Sequence, residues 1–289
     1  MKLHTKPKMP LLTTVAAVGL ALGSTGALAG HIPGFSFSND AFNINPVTAG
    51  ACTASATCAD STTNLRYIDF SYNAEADQTV SSFNETGGGF FGTFRESLGG
   101  QAAQNTGLGT DYSIYALFSG LGTTANNTAG GINGTFSSFT FSMYIDPNQD
   151  TKLTTPAVGG PDESVTVASL GADDFNILNG TLIGNNGGFH VFPGLAGGDF
   201  DVLLNATRVG GFFSGVAFAD PGTTADFNGV NSNIVGVAPP PGSFTDGTIN
   251  GSGNASFGSQ QVPEPESLAL LGLGLAGLGF ARRSRKARS

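Results

Sequence analysis

The chain has 289 residues, a net charge of −9, 44 Gly, 23 Phe and no Trp. Its acidic balance excludes nucleic acid and anionic membrane surfaces as partners, because phosphates attract Lys and Arg. The phenylalanines supply enough apolar surface for a core, so the high Gly content does not by itself imply disorder.

Residues 1–29 have the form of a secretory signal peptide. Lys2, His4, Lys6 and Lys8 make a positive start, residues 11–22 an apolar stretch, and Ala27, Leu28 and Ala29 an A-x-A cleavage site before Gly30. The C-terminal segment from Val262 is also set apart by composition. Between these two ends the cations are Arg66, Arg95, Lys152 and Arg208, so the mature part has 4 − 19 = −15 net charge. A surface of that sign favours solubility and attracts divalent cations. Its length of about 230 residues suits one all-β domain.

Cys52 and Cys58 lie six positions apart in an Ala-, Ser- and Thr-rich stretch. Two close cysteines in an exported chain point to one disulfide, worth about 2 kcal/mol for so small a ring. The rival, a metal pair, has His31 and His190 far away in sequence.

From residue 65 the apolar period is two. Ile68, Phe70 and Tyr72 alternate with Asp69 and Ser71, and Tyr112 and Ile114 alternate less cleanly with Ser113 and Tyr115. Phe139, Phe141, Met143 and Ile145 oppose Thr140, Ser142 and Tyr144. Further strands are predicted at 164–168, 181–183, 200–206 and 212–218, with Gly/Asn turns at 86–89, 126–134 and 184–188. The only helical period is a weak one at 94–104. Many short strands between turns predict an all-β fold, a single jelly-roll-like β-sandwich over 30–242, with a solenoid as the alternative. Pro239, Pro240, Pro241 and Gly242 break the pattern, and 243–261 has the composition of a Gly/Ser-rich stalk after a short strand.

Asp146, Asn148 and Asp150 alternate as D-x-N-x-D, which sets three oxygen ligands on one side of a tight loop and suits Ca²⁺. Thr151 and Ala157 stand where an EF-hand requires Gly and Glu, so a full EF-hand is excluded. The same residues also suit a plain hairpin turn, with Pro147 and Asn148 as turn formers. Other acid pairs are Asp173 with Asp174, Asp199 with Asp201, and Asp162 with Glu163. They are expected to solvate an acidic surface rather than to work as a glycosidase pair. His190, between Phe189 and Val191, is expected as a half-buried strand residue. No catalytic motif is present, so the chain is not expected to be an enzyme, and no cofactor is expected beyond candidate Ca²⁺.

The C-terminal segment, 262–289, has three parts. Pro263, Glu264 and Pro265 come first, then an apolar run at 268–281, then Arg282, Arg283, Arg285, Lys286 and Arg288. As a helix the run spans about 21 Å, short of a bilayer core of about 30 Å, with its cations left in the cytoplasm. This order resembles the PEP-CTERM sorting signal of Gram-negative bacteria that make exopolysaccharide. The resemblance implies export, transient insertion in the inner membrane as a hydrophobic sorting helix, and recognition of the Pro-Glu-Pro triplet by an exosortase. It implies secretion or display at the cell surface or in the extracellular matrix. The run Tyr112, Ser113, Ile114, Tyr115, Ala116, Leu117 and Phe118, with 139–144 and the DPNQDTK stretch at 146–152, resembles flocculation-associated PEP-CTERM proteins over about 65–205. That implies a role in exopolysaccharide-associated cell aggregation and supplies no catalytic residues. The alternative is a carbohydrate-binding module, which needs an exposed aromatic platform from Tyr67, Tyr72, Tyr112, Tyr115 and Tyr144.

Overall fold

The computed structural model describes residues 36–78, 81–126, 131–154, 166–169, 171–192, 197–219, 222–235 and 247–261. The expected signal peptide, the break at 239–242 and the sorting segment from Val262 lie outside them.

The alternating pattern becomes strands β1 (Ser36–Asn39), β2 (Phe42–Ile44), β3 (Thr62–Leu65), β4 (Tyr67–Gln78), β5 (Ser82–Arg95), β6 (Ser113–Asn126) and β7 (Ile132–Asp146). They are followed by β8 (Lys152–Thr154), β9 (Thr166–Ser169), β10 (Phe175–Val191), β11 (Gly198–Arg208) and β12 (Phe213–Gly215). A 3₁₀ turn (Val216–Phe218), β13 (Thr223–Val235) and β14 (Gly247–Gln261) complete the series among the described residues. The predicted weak helix at 94–104 is absent: Phe94 and Arg95 end β5, and the loop beyond turns at Gly99 and Asn105, whose φ values are positive.

The sheet is not a sandwich. The order β4-β5-β6-β7-β10-β11-β13-β14 returns to β4, antiparallel at every step, and forms an eight-stranded closed barrel. Closure rests on β14, which pairs with β13 on one side and with β4 on the other, from Gly247 opposite Ala76 to Ser256 opposite Tyr67. The segment 247–261, expected as a stalk, is therefore the closing stave. A closed sheet has no free edge, and it buries its apolar face on itself instead of on a second sheet.

Glycines make that closure possible. Gly87 and Gly251 face bulky rings across the wall: a Cβ on Gly87 would lie 2.0 Å from Phe118 Cζ, and one on Gly251 2.3 Å from Tyr72 Cε1. Hence 86–89, expected as a turn, runs through the middle of β5, and 184–188 lies inside β10 at a register shift between Leu182 and Gly187. The hairpin expected near 126–134 does form, between β6 and β7.

Most inward positions are aromatic or aliphatic, Glu85 and Asn231 being polar exceptions, and most outward ones are polar, Leu121 and Val230 being apolar exceptions; Ser71, Asn73, Thr123, Thr140, Asn179 and Asn205 are exposed. A membrane-spanning barrel carries the reverse pattern, an apolar band outside. Phe83 closes one end against Phe136 and Phe189, at centroid distances of 5.0 and 4.9 Å. At the other end the small sheet β12-β2-β3 adds Phe42 and Phe213 and the 3₁₀ turn adds Phe218, and all three pack on Phe257 of β14. Cys52 and Cys58 form a disulfide beside this cap, with Cα atoms 6.7 Å apart. Cys58 is buried and bridges to Thr106, which fastens the loop before β3 to the loop before β6.

Candidate metal centre

β7 ends at Asp146, which is fully buried. Its side chain folds the following loop around itself. Oδ2 accepts from Thr151 N at 2.9 Å and from Ser113 Oγ at 3.2 Å, and Oδ1 accepts from Asp150 N at 3.3 Å. Asn148 Oδ1 accepts a second bond from Asp150 N at 3.2 Å, while Gln149 takes a positive φ of 59° to complete the turn. Asn148 Nδ2 donates to Asp150 Oδ2 and to Asp173 Oδ1, both at 3.1 Å.

The antiparallel register of β7 and β10 brings in a second acid. Phe175 sits opposite Ile145, so Asp174, the residue just before β10, arrives opposite Asp146. Asp174 Oδ2 accepts from Thr151 Oγ1 at 2.6 Å, Tyr115 OH at 3.0 Å and Gly171 N at 3.2 Å. Its Oδ1 is buried and has no hydrogen-bond partner among the described residues. Tyr115, fully buried on the outer side of the wall, is pushed well above its ordinary value, first by burial and then by its bond to Asp174.

One carboxylate oxygen from each of Asp146, Asp150 and Asp174 lies within 4.8 Å of the others. A notional Cβ on Gly171 would stand 2.8, 2.9 and 3.0 Å from oxygens of Asp173, Asp174 and Asp150, so the glycine leaves open a point ringed by carboxylates. Among the described residues no Lys, Arg or His pairs with Asp146, Asp173 or Asp174. Oxygen-only donors, several of them charged, fit Ca²⁺, which takes six to eight oxygens in irregular cages. The linear motif lacked a distal acid, and the fold places Asp174 next to it from another strand. Sequence reasoning had Asp173 and Asp174 only as a separate pair.

The other singled-out residues lie elsewhere. Pro263, Glu264 and Pro265, and the pair Asp162 and Glu163, fall outside the described residues. His190 is half-buried on β10 with Nδ1 2.7 Å from Asp199 Oδ1. Asp201 is buried near Asp226, whose carboxyl is raised to about 8 by burial and then by Asp201. The tyrosines form no exposed platform: Tyr72, Tyr112 and Tyr115 are buried, and half-buried Tyr144 stacks on Tyr115 at 5.2 Å.

Residues 261–286 match the PEP-CTERM protein-sorting motif. No curated protein and no solved structure matches the chain. The motif marks an exported protein that an exosortase processes and anchors at the cell envelope.

Proposed function

We propose that this exported, exosortase-processed chain is a structural adhesion protein of the cell surface or extracellular matrix, supporting exopolysaccharide-associated cell aggregation, as in flocs or biofilm of a Gram-negative bacterium. The barrel presents a polar, acidic outer wall, and Ca²⁺ held by Asp146, Asp150 and Asp174 fastens the β7–β10 end of that wall. Asn148 and Asp173 complete the oxygen set. The observation that carries the reading is the coincidence of a sorting motif at 261–286 with an acid cluster assembled from two separate strands. Bound Ca²⁺ would offset half of the charge of four neighbouring carboxylates and fix the loop from Pro147 to Thr151; its role here is structural, with no reaction step. Matrix polysaccharides are the partners, met through hydroxyl and amide groups on the wall, and no enzymatic activity is part of the proposal.

The test is deletion of the gene, followed by microscopy of cell aggregation and assay of the protein retained on cells. Dispersed cells that regain aggregation with the wild-type gene support the reading. A deletion strain that aggregates like its parent refutes it.

A further inference from the structure

Between the two phenylalanine plugs the barrel keeps a cavity of about 60 Å³. Phe70, Phe118 and Phe200 are among the rings that line it, and Tyr72, Glu85 and Asn231 are its polar members. Tyr72 OH donates to Asn231 Oδ1, so those two satisfy one another. Glu85 is different. It is 8% exposed, lies near the start of the glycine-rich strand β5, and meets neither a hydrogen-bond donor nor a cation among the described residues. An acid kept in an apolar lumen without a partner costs stability unless something else satisfies it.

We propose that the lumen is a binding site for a small organic ammonium ion, held by the Glu85 carboxylate and by the faces of the surrounding rings. Aromatic faces attract a cation through their quadrupole, most strongly where water is excluded, and a carboxylate supplies the counter-charge. A metal ion does not suit the site, since Glu85, Tyr72 and Asn231 offer too few oxygens for Ca²⁺ or Mg²⁺. At about 15 Å³ per water-sized probe, the space admits about four non-hydrogen atoms, the size of a trimethylammonium ion. Burial raises Glu85 from 4.5 to about 7, so the empty lumen favours the neutral acid and a bound cation would ionise it. Among the described residues Tyr72 from β4 is the one other titratable group that lines the cavity; Asp226 of β13 does not line it.

The experiment is calorimetric titration of the exported protein with trimethylammonium chloride at pH 8 in EDTA, with isopropanol as the neutral ligand of the same size. The expected result is saturable one-to-one binding of the cation that weakens at least tenfold in Glu85→Gln, while isopropanol does not distinguish the two proteins. Diffuse attraction to the acidic surface is neither saturable nor one-to-one. Should Glu85→Gln not fold, the wild type decides alone: affinity falls on the order of 100-fold from pH 8 to pH 5 as the carboxyl takes its proton. No saturable binding at pH 8, or an affinity indifferent to pH over that range, overturns the proposal.

Discussion

Replacing Asp174 with Asn is the sharpest test of the metal centre, because Asp174 belongs to the site only through the pairing of β7 with β10. The cluster has three carboxylate oxygens within 4.8 Å, with Asn148 and Asp173 beside them, but no rigid twelve-residue loop. As a Ca²⁺ site of the proposed kind it would rank with weak ones, with a dissociation constant of about 10⁻⁴ to 10⁻³ M. At 10 mM Ca²⁺, binding to the folded state alone then adds about 1.4 to 2.7 kcal/mol. For a domain of this size that raises Tm by about 3 to 10 °C. The assay is thermal unfolding in Ca²⁺, Mg²⁺ and EDTA, each variant being compared with its own EDTA value. This internal comparison matters because Asp174→Asn also disturbs the bonds from Tyr115, Thr151 and Gly171. Mg²⁺ screens the −15 charge as well as Ca²⁺ does but tolerates irregular cages poorly, so it isolates the specific part. The Ca²⁺ increment over Mg²⁺ should vanish in Asp174→Asn, as it should in the double variant Asp146→Asn with Asp150→Asn. Equal shifts for both ions, unmoved by the substitutions, would leave the loop a plain turn. Loss in the double variant alone would refute the two-strand site.

Four further outcomes are expected. Gly87→Val should destabilise the barrel by about 1 to 3 kcal/mol in urea unfolding, since its Cβ enters the Phe118 ring; a neutral result would mean that β5 does not run through the wall. Cys52 and Cys58 should resist alkylation until reduced, and replacing both with Ser should cost about 2 kcal/mol. Glu85 binds its proton more tightly folded than unfolded, so stability should fall as pH rises from about 4.5 to 7, by about 3 kcal/mol from this group. Asp226 acts in the same direction up to about pH 8, and Glu85→Gln should remove its own share of the slope. Replacing Pro263, Glu264 and Pro265 with Ala should leave an unprocessed, membrane-held precursor on an immunoblot of fractionated cells.

Strands whose two faces differ strongly in polarity were legible in the sequence. Phe141, Met143 and Ile145 are buried on β7 as the alternation predicts, with Thr140 exposed on the other face. Where the inward residues are small, the signal disappears. β14 turns Gly251, Gly253, Ala255 and Phe257 toward one face, which reads as linker until the Tyr72 ring that fills the space at Gly251 is known. β5 was missed for the same reason, since Gly87, Gly88 and Gly89 read as a turn. The choice between sandwich and barrel depends on whether β4 meets β14, a pairing between strands at opposite ends of the sheet's chain order that no local pattern encodes. The candidate metal centre divides along the same line. The loop at Asp146, Asn148 and Asp150 carried its own motif, whereas Asp174 joins them through strand register alone.

Gln261 is the last residue of the closing strand and the first of the sorting motif. The cylinder thus has no spacer between its final stave and the sequence the processing enzyme reads. During export β4 crosses long before β14, and until the latter follows, the flanks of β4 and β13 that it will join stand open. Each is a ready template for another chain's strand. Closing the ring and presenting the sorting sequence are therefore one late event in the life of the chain. A product cut a few residues upstream of Gln261 would lose the part of β14 that pairs with β1, from Gly258 to Gln261.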